Sequence, residues 1–221
     1  MSGFFSRFAD INYWLTILLA LPGILIGLTF HEFAHAWMAN RLGDPTAKMM
    51  GRLTLNPLKH LSLIGTLAII FFRFGWAKPV PINPDNFRDR RKGTLLVSIA
   101  GPGANLLLAL LLAALFRLFG LISLQTSPVI AYIQGILGLA VFYNLILAFF
   151  NIIPIPPLDG SQILFSLLPL RYTNALLWLQ RYGFIILLVL IFTRVLWYII
   201  GVPSLYLTAI LAGPSALGIT L

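Results

Sequence analysis

The chain has 221 residues, of which 59% are hydrophobic and 10% are charged, and its mean hydropathy is +0.94. Soluble domains carry about 25% charged residues, so this composition excludes a water-soluble globular protein. The net charge of +9 is uneven, because ten of the fifteen Lys and Arg residues lie in two stretches, Arg41 to Lys59 and Arg73 to Lys92. Basic clusters beside apolar spans are typical of cytoplasmic loops, which favours a membrane protein over a nucleic-acid-binding protein.

The first predicted element is a long apolar helix from about Ile11 to Leu42. Gly43 and Pro45 follow it and indicate where it ends. The next apolar run, Ser62 to Phe72, would cover only about 16 Å as a helix, half of what a membrane span needs. Both of its flanks are basic. We therefore expect Ser62 to Phe72 to be re-entrant, with both ends on the cytoplasmic side.

Two stretches that flank the re-entrant segment are predicted to be extended. Gly51 to Pro57 alternates in polarity like a short strand that ends at a proline. Trp76 to Asn83 contains Pro79 and Pro81, which only an edge strand or an extended loop accepts. Together they predict a short β-hairpin element beside the re-entrant segment.

Two further spans follow, Thr94 to Phe116 and Val129 to Phe150, and neither contains a charged residue. We expect the first to be interrupted at Gly101-Pro102-Gly103. Three prolines between Asn151 and Gly160 forbid regular helix there, and non-helical backbone between apolar runs is tolerated only where it is buried in protein or lines a cavity. The remaining apolar segments are Ser161 to Leu170, Ala175 to Ile200 and Val202 to Leu221.

The predicted fold is an all-α polytopic membrane protein. It is a helical bundle with a short re-entrant or β-hairpin element on the cytoplasmic side. No soluble domain is expected, so residues 1–221 form a single integral-membrane domain.

The motif His31-Glu32-Phe-Ala-His35 lies inside the first predicted helix. Residues four apart share a helix face, so the two imidazoles can bind one Zn²⁺, and the glutamate between them can act as general base on the attacking water. Glu32 is the only glutamate of the chain, and the motif holds two of its three histidines. A carboxylate in a membrane helix costs several kcal/mol unless it is paired or functional, so a metal site is favoured over a chance match.

A catalytic zinc needs a third protein ligand and an open position. Asp159 is the first candidate, because it stands alone in an apolar tract at the end of the proline-rich break. The other candidates lie in the basic stretches, where a solvated loop side chain explains each of them: Asp44, Asp85, Asp89 and His60.

The motifs HEFAH and NIIPIPPLDG, with GPGAN (101–105) between them, resemble the site-2 protease family of intramembrane zinc metalloproteases. GRLTLNPLKH and GWAKPVPIN are similar to the small subgroup without appended soluble domains. The resemblance covers about residues 20–165. One departure concerns His60: where relatives read His-x-Asp-Pro-x-Gly, this chain has His60-Leu-Ser-Leu-Ile-Gly65 and no acid.

The resemblance implies that Asp159 is the third zinc ligand and that Asn151 binds substrate or stabilises the oxyanion. It places Asn105 near the active site, with the same expected role. The implied function is hydrolysis of peptide bonds within or next to transmembrane segments of membrane proteins, with single-pass proteins as the expected substrates. The enzyme is expected to be a multi-pass protein of the prokaryotic cell membrane, surrounded by lipid, with its active site toward the cytoplasm. Nucleic acid is not an expected partner, and no oligomeric state is predicted.

Three other interpretations stay open at this point. In the first, Asn105 and Asn151 serve only as hydrogen-bond donors to backbone carbonyls that lose their helical partner because a nearby proline has no N–H. A metal or proton transporter would use the same buried histidines and aspartate, but it would not need Glu32 as a base. A catalytically silent scaffold would retain the fold alone, and the intact Glu32 argues against it.

Overall fold

A computed structural model describes residues 11–72, 75–122 and 128–217. Four of the described helices are long and apolar enough to cross a membrane, which confirms an all-α multi-pass protein. Arg73 and the end of the last apolar segment, 218–221, lie outside the described residues. The helices are α1 (Ile11–Arg41), α2 (Thr46–Met49), α3 (Leu63–Phe72), α4 (Arg90–Ile122), α5 (Pro128–Ile152), α6 (Asp159–Leu167), α7 (Thr173–Phe192) and α8 (Val202–Ala212).

The centre of the molecule is a bundle in which α1, α4 and α5 pack against one another. α5 is the most enclosed of the four long helices, since 44% of its apolar window is buried against 11% for α7. An apolar core joins α4 and α5 through Ala109, Ala113, Leu137 and Val141. The histidine motif of α1 therefore faces helices on two sides rather than lipid alone.

Helix α4 continues through Pro102, so the predicted interruption at Gly101-Pro102-Gly103 is wrong. A proline inside a helix removes one backbone hydrogen bond, but neighbouring groups in a membrane bundle compensate for that loss. Near this point the carbonyl of Val97 accepts a hydrogen bond from His35 of α1, with Nδ1 and O 2.8 Å apart. The two helices are tied together at the level of the motif.

Helix α3 has 10 residues and rises only about 15 Å, as expected for a segment too short to cross a membrane. The extended loop expected at Trp76 to Asn83 is present, with one antiparallel bridge between Leu61 and Ala77. The strand predicted for Gly51 to Pro57 is wrong, because residues 51–56 form turns and bends, and the described residues contain no β-ladder. Side-chain anchoring replaces strand pairing here, since Arg52 donates to the carbonyl of Lys78 at 2.6 Å.

The water-facing position expected for Asp44 and His60 is also wrong, because both side chains are completely buried. Asp44 accepts hydrogen bonds from Thr46 and Asn86 and from the backbone N–H of Asn83. Nε2 of His60 lies 2.8 Å from the carbonyl oxygen of Thr54. Asp44 therefore has donors for both of its oxygens, whereas Nδ1 of His60 is buried without a hydrogen-bond partner.

The proline-rich break between α5 and α6 is non-helical, as predicted, over residues 153–158. Helix α6 begins at Asp159 and packs against α4. Gly160 lets α6 approach the end of α5, because a Cβ there would lie 2.1 Å from the carbonyl oxygen of Ile152. This close approach fixes where the first residue of α6 stands.

Candidate metal centre

Three side chains from two helices converge on one point. His31 and His35 lie one turn apart on α1, and their Nε2 atoms are 3.0 Å apart. Oδ2 of Asp159 lies 3.1 Å from Nε2 of His31 and 3.2 Å from Nε2 of His35. Within the described ranges, no other set of three His, Cys, Asp or Glu residues forms such a group.

The donor chemistry of this group fits a metal cation. Nδ1 of His31 faces Oδ1 of Asn105 at 2.7 Å, and Nδ1 of His35 faces the Val97 carbonyl. Both partners are acceptors, so each neutral ring carries its hydrogen on Nδ1 and keeps a lone pair on Nε2. Oδ2 of Asp159 is buried without a hydrogen-bond partner. Two imidazole lone pairs and one carboxylate oxygen that meet without a proton between them suit Zn²⁺.

Gly101 of α4 forms the wall behind the two imidazoles. A Cβ at this position would lie 2.4 Å from Nε2 of His35 and 2.7 Å from Cε1 of His31, closer than any real contact. Gly101 of the GPGAN sequence therefore leaves room for the two rings, because it has no side chain at the point where α4 faces them. The role of Gly101 is steric.

Glu32 lines the same cavity of about 350 Å³ as the three converging side chains. Its side chain is 8% exposed, and Oε2 accepts a hydrogen bond from the backbone N–H of Val80 at 2.9 Å. Pro79 and Pro81 have no N–H, so Val80 supplies the one backbone donor among these three residues. The extended loop 75–83 thus holds one oxygen of the carboxylate beside the cavity.

The two asparagines occupy different positions from each other. Asn151 lines the cavity, and its Nδ2 donates to the carbonyl of Leu147 in its own helix at 2.9 Å, which leaves one N–H of the amide for another acceptor. Asn105 is completely buried, lies outside the cavity lining and bonds to His31. Both N–H groups of Asn105 donate inside the protein, one to the Gly27 carbonyl and one to Oδ1 of Asn144.

The remaining sequence candidates do not join the centre. Asp44, Asp85, Asp89 and His60 are absent from the group of converging ligand atoms. Two further kinds of residue at the site were not expected from the sequence. Ser98 and Gln162 line the cavity, and Asn144 of α5 is a fully buried carboxamide bonded to Asn105. A carboxamide within an apolar span was the one available signal for Asn144.

The fold and the site together define a class: a helical membrane protein with a His-His-Asp group that could hold a metal ion and a glutamate at the same cavity. This combination of ligands and general base is typical of metallohydrolases.

Comparison with known proteins places the chain within this class. Residues 117–190 match the model of peptidase family M50. The chain is 41% identical to zinc metalloprotease YwhC of Bacillus subtilis over 77% of its own length and 78% of that protein. It is 34% identical to zinc metalloprotease Rip2 of Mycolicibacterium smegmatis over 84% of its own length and 71% of that protein. No solved structure matched the chain.

The chain belongs to peptidase family M50, the family of the site-2 proteases. It is a multi-pass membrane metalloprotease, and the predicted cofactor, zinc, is confirmed by the family and by the His-His-Asp group.

Proposed function

We propose that this protease hydrolyses peptide bonds within or next to transmembrane segments of other membrane proteins. In this proposal His31, His35 and Asp159 are the zinc ligands and Glu32 is the general base. The observation that carries it is the position of all four side chains on one cavity, in a protein whose α1 is long and apolar enough to span a membrane. Single-pass proteins are the proposed substrates, and residues 1–221 act as one peptidase domain with its motif core at about 20–165.

The site lies toward the cytoplasmic face in this proposal. If the end of α1 at Arg41 marks that interface, His35 lies about 9 Å and His31 about 15 Å along the helix, at about 1.5 Å per residue. The basic stretches that begin at Arg41 and Arg73 support this orientation. The relatives named above are bacterial, which supports a prokaryotic cell membrane as the location.

When bound, zinc supplies Lewis-acid polarisation of the scissile carbonyl and acidifies water. Glu32 accepts a proton from the attacking water, whose oxygen adds to the carbonyl carbon. The C–N bond then breaks, and Glu32 returns the proton to the leaving amine nitrogen. The Val80 N–H restrains Oε2 of Glu32 and leaves Oε1 for this transfer. The free N–H of Asn151 supports its proposed role as oxyanion donor.

The loop 75–83 is the proposed docking edge for substrate. A helical substrate must unwind before its carbonyl can reach the site, and an extended peptide can pair with an extended edge. Pro79 and Pro81 cannot donate hydrogen bonds, so at these positions the substrate would supply the donors and the loop the carbonyl acceptors. Pro79 and Val80 line the cavity, and Pro81 follows Val80 in the chain. This position beside the cavity supports docking of substrate on the loop.

The test of this function is the Glu32→Gln variant. The substitution keeps the size and the hydrogen-bonding capacity of the side chain but removes the proton acceptor. The rate of cleavage of single-pass substrates should therefore fall at least about 10²-fold to 10⁴-fold. Zinc content should stay at one ion per chain, because the proposed ligands are unchanged. Cleavage is measured in detergent or liposomes on the same preparation as zinc content.

Two results would contradict the proposal. Wild-type cleavage by zinc-loaded Glu32→Gln would remove Glu32 from the role of base. A wild type that cleaves no membrane substrate but carries zinc across liposomes would replace the protease function with transport.

A further inference from the structure

Asn144 lies at the centre of the bundle and all its hydrogen-bonding atoms are engaged. It is completely buried on α5. Its Nδ2 donates to the carbonyls of Ala140 at 2.8 Å and Gly23 at 3.4 Å. Its Oδ1 accepts from Nδ2 of Asn105 at 3.0 Å. Because both N–H groups of Asn144 point at carbonyl oxygens, its own oxygen must face Asn105.

The same reasoning fixes the orientation of the Asn105 amide on α4. One of its N–H groups donates to the Gly27 carbonyl at 3.0 Å and the other to Asn144. Its oxygen is therefore left to face Nδ1 of His31 at 2.7 Å. An acceptor at this position requires His31 to carry its hydrogen on Nδ1, and the lone pair then lies on Nε2, toward Asp159.

We propose that Asn144 is a positioning residue for the metal centre, acting through Asn105 on the tautomer of His31. The inference rests on the proposed role of His31 as zinc ligand. A reversed Asn105 amide would present N–H to His31 and force the ring hydrogen onto Nε2, where zinc binds. That reversal would place the Asn105 oxygen against the oxygens of Gly27 and Asn144, so the Asn144 oxygen makes the reversed state unfavourable.

The Gly27 carbonyl alone would constrain Asn105 less. With Asn144 removed, one N–H of Asn105 has no partner, and in the interior of a membrane bundle water is scarce. The Asn105 amide could then form an equally favourable hydrogen bond with either tautomer of His31, including the tautomer that carries its hydrogen on Nε2. Helix α5, which contributes no zinc ligand in this proposal, would in this way act on the ligand geometry.

The first experiment compares zinc affinity across three proteins purified in detergent, by competition with a chromophoric chelator. Outer partners of metal-ligating histidines contribute about 10-fold to 100-fold in affinity, so Asn144→Leu should bind zinc about 10-fold more weakly than wild type. Thr208→Val is the matched control. Thr208 is also completely buried and bonds to a carbonyl four residues earlier, that of Ser204, but it is not among the hydrogen-bond partners of Asn105, which are His31, Gly27 and Asn144. Its removal should leave zinc affinity unchanged.

The second experiment separates a positioning role from a structural one. Asn105→Leu should also weaken zinc binding, and Asn144→Leu should have no further effect in that background, because the proposed route is already cut. Asn144→Asp keeps an oxygen facing Asn105, and as a neutral carboxylic acid its O–H donates to the Ala140 carbonyl, so it should restore affinity close to the wild-type value. If Asn144→Leu does not purify as a folded protein, Asn144→Ala removes the same oxygen with less steric demand.

The outcomes distinguish a failure of the positioning role from a failure of the proposed zinc ligands. Wild-type affinity in Asn144→Leu or Asn144→Ala, or an equal loss in the Asn105→Leu background, would overturn the positioning role while the ligand set stands. Zinc binding that survives His31→Ala in the otherwise wild-type chain would overturn the ligand set itself, and the inference with it.

Discussion

At the scale of single residues, the proposed zinc centre consists of three atoms, from His31, His35 and Asp159, that lie within 3.2 Å of one another. Replacing any one of them with Ala leaves two ligands, so each variant should lose its zinc during purification. His60→Ala is the control, because His60 bonds to Thr54 and lies outside the group. Elemental analysis reads the result. Full zinc in Asp159→Ala, together with loss in His60→Ala, would move the third ligand to His60.

Gly101 provides a second test at this scale, with a matched control two residues away. A Cβ at Gly101 would collide with both imidazoles, whereas a Cβ at Gly103 would meet no atom within 4 Å. Gly101→Ala should therefore displace the rings and abolish stoichiometric zinc binding. Gly103→Ala should retain zinc and is expected to stabilise helix α4 by up to about 1 kcal/mol. Equal zinc content in the two variants would show that the wall behind the rings is not tight.

At the scale of elements, Asp44 joins the end of α1 to the loop that carries Val80. Burial raises the pKa of its carboxyl, but hydrogen bonds from Thr46, Asn86 and Asn83 stabilise the charged form and hold the pKa below its ordinary value. A depressed pKa in the folded state contributes stability that is full above the unfolded pKa of about 4 and is lost as pH falls through the folded value.

Asp44→Asn should consequently lower the free energy of unfolding by about 1 to 3 kcal/mol at neutral pH, because a donor replaces an acceptor opposite the backbone N–H of Asn83. The stability decrease that we expect for the wild type below about pH 4 should be smaller in the variant. The matched control is Asp85→Asn, since the Asp85 side chain is 71% exposed and pairs with Arg90 at the surface. Thermal unfolding in detergent at several pH values gives both quantities. A parallel pH dependence in Asp44→Asn and wild type would exclude the buried carboxylate as its source.

At the scale of the whole molecule, the proposed topology places both basic stretches on the cytoplasmic side, with the short helix α3 entering and leaving the membrane on that side. The chain contains no cysteine, so single cysteines at Leu55 and Asp85 can be labelled with impermeant thiol reagents in oriented vesicles. Both positions are exposed. We expect the same labelling side for the two, because about 15 Å of helix cannot cross the hydrocarbon core. Opposite sides would contradict the re-entrant model.

The sequence predicted the long helices well. Helix α1 was expected from Ile11 to Leu42 and runs from Ile11 to Arg41, and the break after α5 lies where three prolines exclude helix. These features depend on local chemistry, such as apolar length and the missing N–H of proline. Local chemistry also misled at two places. Pro102 was expected to interrupt a helix that in fact continues through it, and Gly51 to Pro57 was expected to form a strand.

The sequence by itself determined which residues of the first helix are candidates for the metal site and its base. His31 and His35 share a helix face by their spacing alone, and Glu32 between them is the single glutamate of the chain. The tertiary structure alone decided which side chains surround them. Asn105 turned out to bond to His31, Asn144 joined it from another helix, and Asp44 and His60 were enclosed by loops that composition had marked as water-facing. Such contacts join residues up to 121 positions apart, as for Asn144 and Gly23, and depend on how helices pack, which no local pattern encodes.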